Sequence, residues 1–478
     1  MSSLVLRDAE VDGVRVDVRV EEGVIATVGP RCGTSGVDLV VECGGGALLP
    51  GLHDHHLHLL SMAAAAVSVD VSGGLDGAIR RADALAAPGA AIRAVGYDEG
   101  RDGPLDRWRL DALAPGRAVR VQHRSGALWV LSTVALEEVG APEAAQEGIE
   151  RDHLQRPTGR LFRLDDWLRG RLPGRVPGRL PDRVPGRLPD GGLPDLAAVG
   201  RRLASYGVTG VTDCTPAAVA AYFEPIADAV RSGALPVTVW VTGGPELSET
   251  APPRPLRQGP VKILITDHAL PSLDQVSEGF ARAHRSGRAV AVHCVSRAGL
   301  LLALAAWRAE GGAPGDRVEH ASVVPLEAVA SLRELSLTVV TQPAFLAARG
   351  DAYLAEVEPA DRPDLYRCAS LQEGGVAVGG STDAPFGPDD PWVAIRAAIE
   401  RRAASGARVG ADRGLEPAAA LDLFLGPPEH PGGPRRRVTP GAAADLCLLD
   451  VPLRTALLEP HCGHVATTIV GGERTYTA

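Results

Sequence analysis

From residue 3 to residue 28 valines alternate with charged and small residues, and Asp12-Gly13 and Glu22-Gly23 break the pattern. A period of two closed by such turns predicts two or three short antiparallel strands. The same texture returns from Gly441, through Ala444-Asp445-Leu446-Cys447-Leu448-Leu449-Asp450, then from Val465 to Val470 before Gly471-Gly472. Isolated hairpins are marginal in water. Two strand-rich ends around a different middle therefore predict one small β-sandwich domain, built from residues 1–47 and 430–478.

The middle of the chain has a different rhythm. Strand-like apolar runs occur at Val208–Thr212, Val237–Thr242, Val261–Thr266, Ala289–His293, Arg317–His320, Leu337–Thr341 and Val376–Val378. Helical stretches rich in Ala, Leu, Arg and Glu, such as Ala298–Glu310, separate most of them. With the run ending at Pro50 they make eight, which predicts an α/β fold of the (β/α)8 TIM-barrel type over residues 48–429. A doubly wound open sheet is the competing fold, but no glycine-rich phosphate loop follows a strand.

Residues 61–195 interrupt that rhythm after the first barrel strand. Ala91–Gly96 and Ala118–His123 read as strands and Leu75–Ala86 as an amphipathic helix, so an inserted α/β region is expected, placed to act as a lid. Inside it, Arg171–Asp190 holds five tandem tetrapeptides of the form R-[LV]-P-[GD]. Proline at every fourth position excludes a continuous helix and a central strand. An exposed low-complexity loop is favoured over a binding surface for an anionic partner.

Composition narrows the function classes. The 478 residues are 45% hydrophobic, with no uncharged apolar run long enough for a transmembrane helix. The start, MSSLVLRDAEVDG, lacks the basic and apolar regions of a secretory signal. A net charge of −10 argues against nucleic acid and anionic membrane as main partners. The seven cysteines are odd in number, scattered and never in C-x-x-C spacing, as expected for reduced thiols in the cytoplasm. A homodimer is left open.

The candidate chemistry starts at Leu48–Leu60, LLPGLHDHHLHLL, which holds four of the chain's 13 histidines. Residues two apart in an extended segment share a face, so an H-x-H pair can offer two imidazole nitrogens to one metal ion. His53 with His55 and His56 with His58 have the same spacing, and spacing does not choose between them. Lys262 adds a second signal, because all but one of the 49 basic residues are arginine. A chain that uses arginine for nearly every positive charge has a particular use for this amine. Arginine stays protonated in proteins, whereas burial favours a neutral lysine amine. That amine can take up carbon dioxide, and the resulting carbamate can bridge two cations. The plainer alternative is an ammonium paired with Asp267. Further along, His293 and His320 end apolar strands and Asp383 follows one. Strand C-terminal ends form the face on which barrel active sites are built.

Pro50-Gly51-Leu52-His53-Asp54-His55-His56-Leu57-His58 resembles the P-G-[FL]-x-D-x-H-x-H signature of the amidohydrolase superfamily. Val318-Glu319-His320-Ala321, Gln342-Pro343, Gly380-Ser381-Thr382-Asp383-Ala384-Pro385 and Gly441-Ala442-Ala443-Ala444-Asp445-Leu446 are similar to its branch called amidohydrolase family 3. N-substituted formamide deformylases are the best-defined activity of that branch. The resemblance implies that His56 and His58, rather than His53 and His55, are metal ligands, with Lys262, His293, His320 and Asp383 completing the set. It also implies two divalent cations, Zn²⁺ by the imidazole and carboxylate donors, sharing a hydroxide, a CO₂-derived carbamate on Lys262, and Asp383 as general base and acid. The implied reaction is hydrolysis of a C–N bond in an amide, formamide or cyclic imide. An esterase, lactonase or phosphotriesterase-like hydrolase on the same site, a deaminase, and a non-catalytic scaffold are the alternatives. The chain departs from its relatives at Ser125-Gly126-Ala127-Leu128, at Leu131-Ser132, and at Asp267-His268. His123, His268 and Gln342 are the candidates for substrate contact.

Overall fold

The computed structural model describes residues 3–172, 195–216, 220–248, 251–267 and 269–478. Most of the tetrapeptide repeat, from residue 173 on, and His268 lie outside the described residues. The chain divides into two compact units, Met1–His58 with Ala197–Ala478, and Leu59–Leu196.

In the first unit, both chain ends contribute to a pair of four-stranded sheets. One sheet is N-terminal, with Leu4–Val11 at its centre, antiparallel to Val14–Glu21 and parallel to Leu39–Glu42. In the other, Leu446–Leu449 lies between Val465–Val470 and Leu48–Pro50. Alternation turns Leu4, Leu6, Val18, Val20 and Ile25 toward Leu48, Leu446, Leu448 and Ile469, and these residues form one buried cluster. The Leu48–Pro50 run, read from the sequence as the end of a barrel strand, thus belongs to this second sheet. The strand that joins the parallel set is the next one, Leu52–Leu57.

The parallel strands form two sheets. The first orders Arg257–Gln258, Thr238–Val241, Val208–Asp213 and Leu52–Leu57; the second runs Val261–Leu264, Val290–Cys294, Arg317–His320, Thr338–Thr341 and Ala377–Gly380. The ladder is not closed among the described residues. Backbone bonds link the two sheets: Lys262 N–H to Gly243 O at 2.9 Å on one side, and Asp383 N–H to His56 O at 2.8 Å with His58 N–H to Ala384 O at 2.9 Å on the other. Burial on both faces explains why Val208–Asp213 reads as a continuous apolar and small-residue run rather than an alternating one. Helices start on side-chain caps where the sequence supplies them. Ser272 closes a reciprocal capping box with Gln275 at the head of Leu273–Arg285, and Ser296 caps Arg297–Glu310.

The second unit has its own six-stranded mixed sheet. Val69–Asp70, Ile92–Tyr97 and Val119–His123 run parallel. Leu128–Leu131, Pro157–Phe162 and Ile149–Arg151 continue it antiparallel. None of these last three strands is read from the sequence: Leu128–Leu131 is only four residues long, and Ile149–Arg151 and Pro157–Phe162 are interrupted by charge. Leu75, Ile79, Leu110 and Leu113 pack with Ile92, Val119 and Val121 in one apolar cluster, and Leu136, Ile149 and Leu161 with Trp129 in another. Among the described residues no helix is long and apolar enough to cross a membrane.

Candidate metal centre

The Leu52–Leu57 strand is buried at every position although four of its six residues are His or Asp. Its side chains therefore need partners inside the protein. Asp54 ties this strand to the segment after Ala377–Gly380. Its carboxylate accepts from Thr382 N–H at 3.1 Å, Thr382 Oγ1 at 2.5 Å and His56 N–H at 3.1 Å. Burial, opposed by these hydrogen bonds, pushes the Asp54 carboxyl up to about 7. The same clamp brings His56 and His58 to Asp383. Asp383 Oδ1 lies 3.6 Å from His56 Nε2 and 3.4 Å from His58 Nε2, a convergent set able to hold a metal ion.

The remaining site residues join this set. Lys262 is buried, with Nζ 3.4 Å from His56 Nε2. The His320 ring lies 4.7 Å from that of His56 and 4.4 Å from that of His293, centroid to centroid. Asp383 Oδ2 is 3.9 Å from His320 Nδ1. His320, Ala321 and Asp383 have φ of 67°, 47° and 55°, left-handed values that cost non-glycine residues roughly 1–3 kcal/mol. Histidine and aspartate tolerate them better than most side chains. Burial, then the Lys262 and His58 charges, holds His56 well below its ordinary value, and burial with His293 and His56 does the same to His320. Both imidazoles are therefore neutral at pH 7, the form that binds a metal.

Hydrogen bonds orient these rings from behind. His56 Nδ1 meets Glu319 Oε2 at 2.5 Å, His58 Nδ1 meets Thr215 Oγ1 at 3.1 Å, and His320 Nδ1 meets Gln342 Oε1 at 3.0 Å. The Gln342 amide donates onward to Ser381 Oγ at 2.9 Å. Gln342, expected to contact substrate, is thus engaged with His320. His123 belongs to the second unit, where Nδ1 meets Ser125 Oγ at 2.8 Å and the ring packs edge-on to Tyr97. His268 lies outside the described residues. Sequence reasoning assigned no task to Asp54, Thr215 or Glu319. The usable signal was Arg317-x-Glu319, two charges on one face of a strand otherwise read as buried.

His53 and His55 do not enter the set. His53 Nε2 bonds to Thr212 Oγ1 at 3.0 Å, and its ring occupies the space beside Gly210, where a Cβ would come within 2.5 Å of Nδ1. Both ring nitrogens of His55 are buried without a hydrogen-bond partner among the described residues. His56, Cys214 and Glu319 also converge closely enough for a cation. Arg317 already fills that role, bonding to Glu319 Oε1 at 2.6 Å and to Cys214 Sγ at 3.6 Å.

A family model described as the amidohydrolase family matches residues 39–476. The chain is 26% identical to the N-substituted formamide deformylase of Arthrobacter pascens, over 91% of this chain and 89% of that one. An uncharacterized metal-dependent hydrolase from Pyrococcus horikoshii superposes with a TM-score of 0.74 at 20% identity, over 97% of this chain and 100% of that chain. N-isopropylammelide isopropylaminohydrolase from Burkholderia multivorans superposes with a TM-score of 0.55 at 15% identity, over 100% of this chain and 99% of that chain. These two likenesses concern the fold alone.

Proposed function

The chain belongs to the amidohydrolase family, and from that premise we propose that it is a metal-dependent hydrolase of the C–N bond of a small-molecule amide, formamide or cyclic imide. The observation that carries this reading is the convergence of His56, His58 and Asp383, with the single lysine of the chain 3.4 Å from His56 Nε2. Nine parallel strands in two sheets, one of them only the two residues Arg257–Gln258, linked by bonds such as Asp383 N–H to His56 O, support a (β/α)8 barrel with the site at its C-terminal mouth.

In this reading His56, His58, Lys262, His293, His320 and Asp383 hold two divalent cations. Imidazole and carboxylate donors suit Zn²⁺, and a carbamate on Lys262 would add two oxygens sharing one negative charge to a set otherwise rich in neutral nitrogens. The cations supply Lewis-acid polarisation of the carbonyl and a nucleophile at neutral pH. Asp383 is the proton carrier: its carboxylate takes the proton of the attacking water and passes it to the departing nitrogen. Its left-handed backbone holds that carboxylate toward His56 and His58, and Asp54 anchors the segment through Thr382. Gln342 holds the His320 ring through Nδ1.

The relative named N-substituted formamide deformylase supports N-formyl amines as the first substrates to try. The test is a screen of N-formyl amines, N-acyl amines, cyclic imides and lactones with zinc- or manganese-loaded protein. Release of formate or amine is the expected result. Turnover of lactones with none of the nitrogen compounds would overturn the C–N assignment.

A further inference from the structure

Arg317 and Glu319 are two fully buried charges with no place in the proposed ligand set. They lie on the strand that ends in His320 and face its other side, since alternate residues share a face. Arg317 Nε donates to Glu319 Oε1 at 2.6 Å, and Arg317 Nη2 reaches His55 O at 3.4 Å and Cys214 Sγ at 3.6 Å. The other carboxylate oxygen, Oε2, accepts from His56 Nδ1 at 2.5 Å. Glu319 is thus held on one side by a guanidinium and turned on the other toward a single imidazole nitrogen. A buried ion pair is weak evidence of stabilisation, because desolvation offsets most of the attraction. A specific use for the carboxylate is the better account.

We propose that Glu319, locked by Arg317, is a positioning residue that sets the tautomer and ring orientation of His56 for metal binding. This rests on the metal-centre reading above. A neutral imidazole donates from one nitrogen and accepts at the other, and an ionised carboxylate only accepts. Glu319 therefore requires the proton on Nδ1. The Nε2 lone pair is then left facing Lys262 Nζ at 3.4 Å and Asp383 Oδ1 at 3.6 Å. Outer partners of this kind fix ligand orientation and raise ligand basicity.

Arg317 makes the inference sharp. In Glu319→Gln the guanidinium, a donor only, captures the amide oxygen, so the amide NH₂ faces His56 Nδ1. The ring can satisfy that donor only by moving its proton to Nε2, the nitrogen needed for the metal. Glu319→Gln is expected to weaken zinc affinity by about 10–100-fold. Adding Arg317→Met releases the amide to turn its oxygen toward Nδ1. The double variant is therefore expected to recover most of the lost affinity, although it removes a second buried group.

The experiment measures zinc affinity by chelator competition for the wild type, E319Q and R317M/E319Q, together with ¹⁵N histidine spectra. Recovery in the double variant supports the positioning role, since a purely structural role makes the double variant worse than the single one. No loss in E319Q, or a double variant weaker than E319Q, overturns the proposal. Should the variants not fold, the wild-type spectrum decides: Nδ1–H on His56 supports the proposal and Nε2–H overturns it. A wild-type chain that binds no zinc sinks the metal-centre reading, while the His56 tautomer still reports on Glu319.

Discussion

Four histidines within six positions offer a controlled comparison between two environments of one strand. His53 and His55 have the same spacing as His56 and His58, and all but the partly buried His58 are fully enclosed. The first pair lies in packed interior: one ring rests on Gly210 and bonds to a threonine hydroxyl, and the other has both nitrogens unpaired. The second pair has a polar partner on each side of each ring, with Glu319 and Thr215 behind and Asp383 in front. Residue type and spacing are equal, so the difference lies in what the neighbouring strands supply. Strands ending in carboxylates and imidazoles draw one pair into the candidate metal centre. Glycine and threonine opposite the other pair give it packing partners instead.

The comparison can be broken at the functional end first. Lys262→Arg is expected to keep the fold and its thermal midpoint while turnover falls to background, because a guanidinium cannot form the carbamate proposed for Lys262. Wild-type rates in that variant would remove the lysine from the mechanism. Asp383→Asn keeps the shape of the carboxylate but not its basicity. A kcat loss of about 10²–10⁴ is expected, with little change in stability. A loss of less than tenfold would shift the proton transfer elsewhere.

At the structural end the effects are smaller and appear in stability rather than rate. Thr212→Val leaves His53 Nε2 without its hydroxyl partner and is expected to lower unfolding stability by about 1–3 kcal/mol with turnover unchanged. His55→Leu removes two buried nitrogens that have no partner. Stability within about 1 kcal/mol of wild type, or higher, is expected, again with turnover unchanged. Loss of activity in either variant would show that the first pair contributes more than packing.

The strand–helix rhythm and the paired β ends were legible in the sequence because periodicity reports burial directly. Val290–Cys294, Arg317–His320 and Thr338–Thr341 match their apolar runs to within a residue or two. The strand at Leu48–Pro50 was misplaced because an apolar run says that a strand is buried and not which sheet it joins. Glycine at position 51 marks the change of sheet: a Cβ there would meet the Thr209 side chain at 2.1 Å. His293, His320 and Asp383 were legible because they stand at or just after strand ends, where polar groups are otherwise unexpected, and Lys262 because it is the one lysine of the chain. The choice between the two histidine pairs came from the resemblance and not from spacing. Glu319 and Thr215 were not legible, since their tasks depend on contacts with His56 and His58 across more than 150 positions of sequence.

The most direct test of the central claim is the metal content of the zinc-loaded wild-type chain after gel filtration, with Lys262→Arg beside it. About two zinc ions per wild-type chain are expected, with fewer on the variant. A wild-type chain that emerges folded and without zinc would contradict the account.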